Sequence, residues 1–265
     1  MAGLKNTTIA GGYKSIIRIN DNTGVSSTPI RCTDGNGSSL PLSIGEEIVK
    51  VSPVSSEGNA FEINKAGGGT NIFRANSNTP YVTALGNYVN TQYAYFGVNF
   101  NDFSHSSADT HYAIPFSAAS GGATANNDVD FGTGLDPATT FTTADTDTQY
   151  ASQIVPMMWL VPDNITIDDI YAIVGADAAT GDAATRIHLF QYTFNSGSTS
   201  ALTSGSVIAH STSDTNNAGN EQVYKTTLSK DVTDIDEDKV ILAFFRSDSV
   251  YSDYSINITV KYHLR

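Results

Sequence analysis

Apolar and polar positions alternate along the first 90 residues in very short runs: "YKSIIRIN" (13–20), "TPIRCT" (28–33), "SSLPLSI" (38–44), "EIVKVSP" (47–53), "AFEINKA" (60–66) and "NIFRAN" (71–76). A period of two is the signature of strands with one face turned inward. The punctuation between runs, "DNTG", "DGNGS", "SSEGN" and "GGG", is turn chemistry. Each run supplies two or three apolar side chains to one face, among them Ile48, Phe61, Ile63, Ile72 and Phe73. Hairpins of this size are marginal alone in water. The missing apolar partner is expected from another copy of the chain, which places those five residues at a self-association interface.

From Tyr81 to Phe103 the chain turns aromatic, and 117–149 is low in complexity, "SAASGGATANNDVDFGTGLDPATTFTTADTDTQ". Eight further runs read as strands: "HYAIPF" (111–116), "QIVPMMWLV" (153–161), "ITIDDIYAIVGA" (165–176), "RIHLFQYTF" (186–194), "SVIAH" (206–210), "EQVYKTTL" (221–228), "KVILAFFR" (239–246) and "YSINITVKYHL" (254–264). "RIHLFQYTF" is apolar on both faces, which predicts a central strand or a subunit interface. No stretch sustains a helical period; "TDIDED" is the one place where a helical turn is expected. The fold class expected is all-β, a short N-terminal hairpin or shaft-like module followed by an antiparallel β-sandwich of jelly-roll type. The expected division is 1–90 as a self-associating module, 91–150 as a connecting segment, and 151–265, together with strand 111–116, as the sandwich.

Composition sharpens this picture. Of 265 residues, 15% are charged and 40% hydrophobic, with 13 Tyr and 12 Phe, a balance that favours strands and turns. The formal charge of −13 is uneven. Residues 1–80 hold seven Lys and Arg against six Asp and Glu, so the remainder carries −14. Between Arg74 and Lys225 the only basic residue is Arg186, which argues against a phosphate-tracking groove and so against nucleic acid as a partner. Cys32 is alone and forms no intrachain disulfide. The opening lacks the apolar stretch of a signal peptide, and no long apolar run predicts membrane insertion, so cytosolic synthesis is expected. The triplets at Asn6, Asn36, Asn164 and Asn257 match the glycosylation pattern, a chance outcome in a chain rich in Ser, Thr and Asn.

Candidate chemistry is sparse. His105, Asp109 and His111 lie within seven residues in "HSSADTH" and offer metal-ligating side chains. No matching third cluster accompanies them, so a polar loop leading into a strand is the favoured reading. Asp231, Asp234, Asp236, Glu237 and Asp238 invite a calcium reading, but the spacing of an EF-hand is absent and a solvated loop is expected. Asp168 and Asp169 sit mid-strand, where alternation turns them to opposite sides. No nucleophile elbow and no phosphate loop is present. The expectation is a non-enzymatic protein without a cofactor or a resident metal. Tyr93, Tyr95, Tyr251 and Tyr254, beside Asn and Asp, are candidates for a glycan-contact surface; packing between strands or subunits is the favoured alternative.

The run "YKSIIRIN…STPIRCTDGNGSSLPLSIGEEIVKVSP…AFEINKAGGGTNIFRANSN", residues 13–80, resembles a segment of virion proteins of tailed bacteriophages, marine and cyanobacterial ones in particular. The resemblance rests on "DGNGSSLPLS", a strand closing near "VSP", and "FEINKAGGGTNIF". It implies a homotrimeric tail-fibre or head-fibre protein whose N-terminal region meets other virion proteins and whose C-terminal sandwich faces outward towards the host. Location in the virion, on head or tail, is implied by the same likeness, as is a stubby shaft, since one such module is present. A host surface glycan is then a candidate partner.

Overall fold

The computed structural model describes residues 17–19, 25–34, 36–79, 81–100, 108–116, 129–143, 151–177, 182–211, 215–218, 222–248 and 253–265. The protein is all-β with antiparallel pairing throughout the described strands, and it divides into two compact units, 1–89 and 90–265.

The N-terminal unit contains two four-stranded antiparallel sheets. One is β1 (Arg18–Ile19), β2 (Ile30–Thr33), β3 (Ser39–Ile44) and β4 (Val49–Val51), in that order; the other is β5 (Phe61–Asn64), β6 (Asn71–Asn76), β7 (Tyr81–Ala84) and β8 (Asn87–Tyr88). Both are meanders, each strand pairing with its neighbours in the chain. Gly67, Gly68 and Gly69 all take positive φ, so the three glycines turn β5 back on β6 where a side chain would be strained. Cys32 is the only apolar side chain fully buried among the described residues of this unit. Arginine side chains stitch the unit's strands and turns together. Arg31 donates to the carbonyls of Leu40 (2.9 Å) and Ser52 (3.1 Å), and Arg74 Nε donates to that of Gly58 (2.7 Å).

The second unit is a two-sheet sandwich. Its strands are β9 (Thr91–Phe100), β10 (Thr110–Ile114), β11 (Asp130–Thr133), β12 (Trp159–Leu160), β13 (Ile165–Asp177), β14 (Asp182–Phe194), β15 (Leu202–His210), β16 (Thr215–Ala218), β17 (Gln222–Thr227), β18 (Ser229–Lys230), β19 (Asp234–Ile235), β20 (Lys239–Ser247) and β21 (Asp253–Leu264). One sheet runs β17-β13-β21-β9 and the other β11-β10-β20-β14-β15-β18. The eight principal strands, counted along the chain from β9 to β21, thus stand in the orders 6-3-8-1 and 2-7-4-5. Apart from the pair β14 and β15, consecutive strands of this set alternate between the sheets, and the sandwich closes by pairing its last strand with its first, Tyr254 opposite Phe100 through His263 opposite Thr91.

Between the sheets lies the main core. Phe96, Val98 and Phe100 of β9, Ile170, Ala172 and Val174 of β13, and Ile256, Ile258 and Val260 of β21 meet Ile187, Leu189, Ile241 and Phe245 of the facing sheet. A second cluster covers the other face of that sheet: Phe190, Tyr192, Leu242 and Phe244 pack against Phe131, Phe141, Ile154 and Met157. This answers why "RIHLFQYTF" is apolar on both faces. It is the central strand β14, between β20 and β15, and buries Ile187 and Leu189 on one side and Phe190 and Tyr192 on the other.

Several expectations change. The run 153–161 is not one strand: α1 (Ala151–Ile154) and a 3-10 turn (Val155–Met157) precede the two-residue β12. Pro156 suits that turn because it has no N–H to give a ladder, and the apolar run buries Ile154 and Met157 in the second cluster. "TDIDED" holds the short strand β19 instead of a helical turn. Within 91–150, expected to connect, β9 is an edge strand of the sandwich, and the low-complexity stretch holds β11 and lends Phe131 and Phe141 to the second cluster, stacked at 4.7 Å.

Candidate functional site

The outward face of the β17-β13-β21-β9 sheet carries an ordered mixture of rings, amides and hydroxyls. Strand alternation turns Tyr93, Tyr95 and Asn99 of β9 outward, along with Tyr171 and Ile173 of β13, Ser255, Asn257, Thr259 and Lys261 of β21, and Val223, Lys225 and Thr227 of β17. Register sets them in rows: Thr227, Tyr171, Thr259 and Tyr95 lie across the sheet, and the next row holds Lys225, Ile173, Asn257 and Gly97. Lys225 Nζ stands 5.5 Å from the Tyr171 ring centroid, a cation–π contact. The negative charge of Asp169 raises the Tyr171 pKa, keeping the phenol protonated. Ser255 donates to Asn99 Oδ1 at 2.7 Å, which fixes that amide across the strands.

At one end of this face a bulge alters the simple alternation. Ile167 pairs with Tyr262 and Asp169 with Lys261, leaving Asp168 as the additional residue on β13. The expectation that Asp168 and Asp169 face opposite sides is therefore corrected. Asp168 Oδ1 meets His263 Nδ1 at 3.0 Å and Asp169 Oδ1 meets Lys230 Nζ at 3.7 Å, while Lys230 also donates to the Asp168 carbonyl. Each carboxylate is drawn to its own cationic or imidazole partner, an arrangement that locks the bulge.

Of the other expected glycan contacts, Tyr254 is corrected: it is 2% exposed, belongs to the main core, packs on Phe245 at 4.8 Å and shares a 2.9 Å hydrogen bond with Ser247. Its place in the inward set of β21, with Ile256 and Ile258, requires this. Tyr251 lies outside the described residues.

The five residues expected at a self-association interface divide between several surfaces. Ile48, Phe61, Ile63 and Ile72 are 44–49% exposed within the chain, and Phe73 is half-buried. Phe61, Ile63 and Phe73 share one face, with the two phenylalanine rings edge-on at 6.1 Å. Ile72 points to the other side of β6, and Ile48 precedes β4 in the other sheet. The alternation in "EIVKV" singles out Val49 and Val51 instead, which pair with Ile44 and Leu42 and stand exposed.

The polar clusters resolve differently from the sequence reading. His105 lies outside the described residues. Asp109 pairs with Arg246 at 3.5 Å, and His111 turns inward against His188, ring centroids 5.0 Å apart. His188 is the partner that sequence spacing does not reveal, 77 positions away. Asp136 caps the pair, 3.5 Å from His188 Nε2, and His111 Nδ1 lies 3.4 Å from the Gly132 carbonyl. Burial pulls His111 down to about 4 and His188 down to about 3, so both are neutral at pH 7. Among the acidic residues of 231–238, Asp234 and Asp236 clamp Arg265 at 3.4 and 2.8 Å, and Asp231 meets His210 at 2.6 Å. Among the described residues no group of three or more His, Cys, Asp or Glu is placed to hold a metal ion.

An apolar recess of about 460 Å³ opens beside α1, lined chiefly by Ile154, Val155, Met158, Leu160, Phe194 and Ala201. No helix among the described residues is long and apolar enough to cross a membrane. Compared with known proteins, the chain matches no family model and no curated relative.

Proposed function

We propose that the chain is a non-enzymatic structural protein of a tailed-phage virion, a homotrimeric short fibre or spike that displays its sandwich for host attachment. The observation that carries this reading is the contrast in burial: the described residues of 1–89 bury one apolar side chain, while each of their sheets exposes an apolar face. Such sheets gain stability by meeting an apolar partner, and identical copies around a threefold axis supply one. The phage assignment rests on the likeness of residues 13–80 to virion segments. The strand orders 6-3-8-1 and 2-7-4-5 fit the jelly-roll arrangement, a compact outward module.

Light scattering on the purified protein tests the assembly, with three times 28.1 kDa expected. Phe61→Asp or Ile63→Asp should break the assembly and leave the sandwich folded. A well-behaved monomer of the unaltered chain sinks the proposal. The second reading, a decoration or cement protein on the capsid, uses the same apolar faces to grip a shell. Immunogold labelling of the particle separates the two: gold on the head supports the decoration role, and gold on the tail supports the fibre.

A further inference from the structure

We infer that the outward face of the β17-β13-β21-β9 sheet binds an uncharged, hydroxyl-rich polysaccharide, with Tyr93, Tyr95 and Tyr171 as its ring platform. This goes beyond the structural role and does not depend on it, because every contributing residue belongs to the unit 90–265 of a single chain.

Three observations lead to the saccharide. Tyr93 and Tyr95 project from the same side of β9, about 7 Å apart along the strand, and Tyr171 lies across β21 from Tyr95, about 10 Å away. Tyr93 and Tyr95 are exposed and Tyr171 is half-buried; rings at that spacing offer apolar faces to successive sugar rings, each with a hydroxyl at its edge. Between and beside them stand Asn257, Asn99, Ser255 and Thr259, whose amides and hydroxyls both donate and accept, as a chain of sugar hydroxyls requires.

Charge decides the class of saccharide. At the end of the face Asp168 meets His263, Asp169 meets Lys230 and pairs in register with Lys261, which also stands opposite Tyr93, and Lys225 is held beside the Tyr171 ring. Lys225, Lys230 and Lys261 stand among Asp168 and Asp169, an excess of one lysine, and the residues after 80 carry −14, which repels polyanions. A second protein is a poorer match. The apolar side chains Ile173 and Val223 are outnumbered by polar groups, unlike the core of a protein interface.

Affinity electrophoresis of the full-length protein through gels containing galactomannan, soluble starch, dextran or hydroxyethylcellulose tests this, with polygalacturonate and hyaluronate as acidic probes. At least one neutral gel should retard the protein, with no loss between roughly 0.05 and 0.5 M salt. Tyr95→Ala and Tyr171→Ala should each weaken retardation about fivefold, with circular dichroism unchanged, and Phe194→Ala, an exposed ring away from this face, should leave it intact. Retardation by the acidic gels alone, or by none of the gels, overturns the inference. So does a change in oligomeric mass on Tyr95→Ala, which makes the face a subunit contact. Light scattering reports assembly separately from binding, so failure here leaves the proposed trimer standing.

Discussion

The two units of this chain are built from the same antiparallel strands and stabilised in different ways. In the sandwich, six strands of nine to thirteen residues carry apolar side chains on at least one face for most of their length, and two clusters of buried aromatic and branched side chains result. In the N-terminal unit the described strands have two to six residues, one apolar side chain is fully buried, and arginines tie the turns to the sheets. Strand pairing and core formation are separable: a ladder of hydrogen bonds contributes little net stability until a face is taken out of water. The under-filled unit is the one expected to gain most from association.

The largest test of that contrast is to cut the chain. A fragment 90–265 should fold alone, whereas 105–265, which loses β9 and uncovers Tyr254, Ile256, Ile258 and Val260 along β21, should not. Amide dispersion in a two-dimensional NMR spectrum distinguishes them, and a folded 105–265 fragment would show that β9 is dispensable. Next in size is an exchange of ring for methyl in each unit. Phe244→Ala removes a fully buried ring packed on Phe131, Phe190 and Tyr192 and should cost about 3–5 kcal/mol by urea denaturation. Phe73→Ala, at a half-buried position, should cost about 1.5 kcal/mol or less in a dissociated chain. Equal losses would mean that the N-terminal sheets have a core of their own.

The smallest effect is in acid. His111 and His188 stay neutral in the fold, whereas in the unfolded chain an imidazole takes up a proton near pH 6.5. Their contribution is therefore complete above pH 6.5 and is lost as pH falls, down to about 4 for His111 and about 3 for His188, at up to about 1.4 kcal/mol per pH unit for each. Residues 1–89 contain no histidine, so this limb belongs to the sandwich alone. His188→Leu should flatten it in denaturation midpoints tracked from pH 7 to pH 4, and an unchanged slope would assign the acid sensitivity to carboxylates.

Much of the architecture is legible in residue order. "NIFRAN" becomes Asn71–Asn76, and "YSINITVKYHL" becomes all but the first residue of Asp253–Leu264, because alternation is a local property that any half-buried strand must display. The run 153–161 is misread because a short, wholly apolar stretch has no period from which to choose helix or strand. The low-complexity segment hides Phe131 and Phe141, two rings among small polar residues whose destination depends on a sheet formed elsewhere. Two of the three surface tyrosines are readable in the same way. Tyr93 and Tyr95 share the parity opposite to Phe96 and Val98, and Tyr254 carries the parity of its inward neighbours, but Tyr171 joins them only through the pairing of β13 with β21.

Residue order by itself determined the all-β class, the weakness of the N-terminal hairpins and the acidic charge of the chain beyond residue 80, since these depend on period, turn chemistry and composition. Tertiary structure alone decided which distant groups meet. It joined His111 to His188, turned Asp168 and Asp169 to one side through a bulge, and aligned Tyr95 with Tyr171 across β21. The physical reason is that register between strands far apart in the chain is set by the packing of both sheets together, a quantity that no local window of sequence contains.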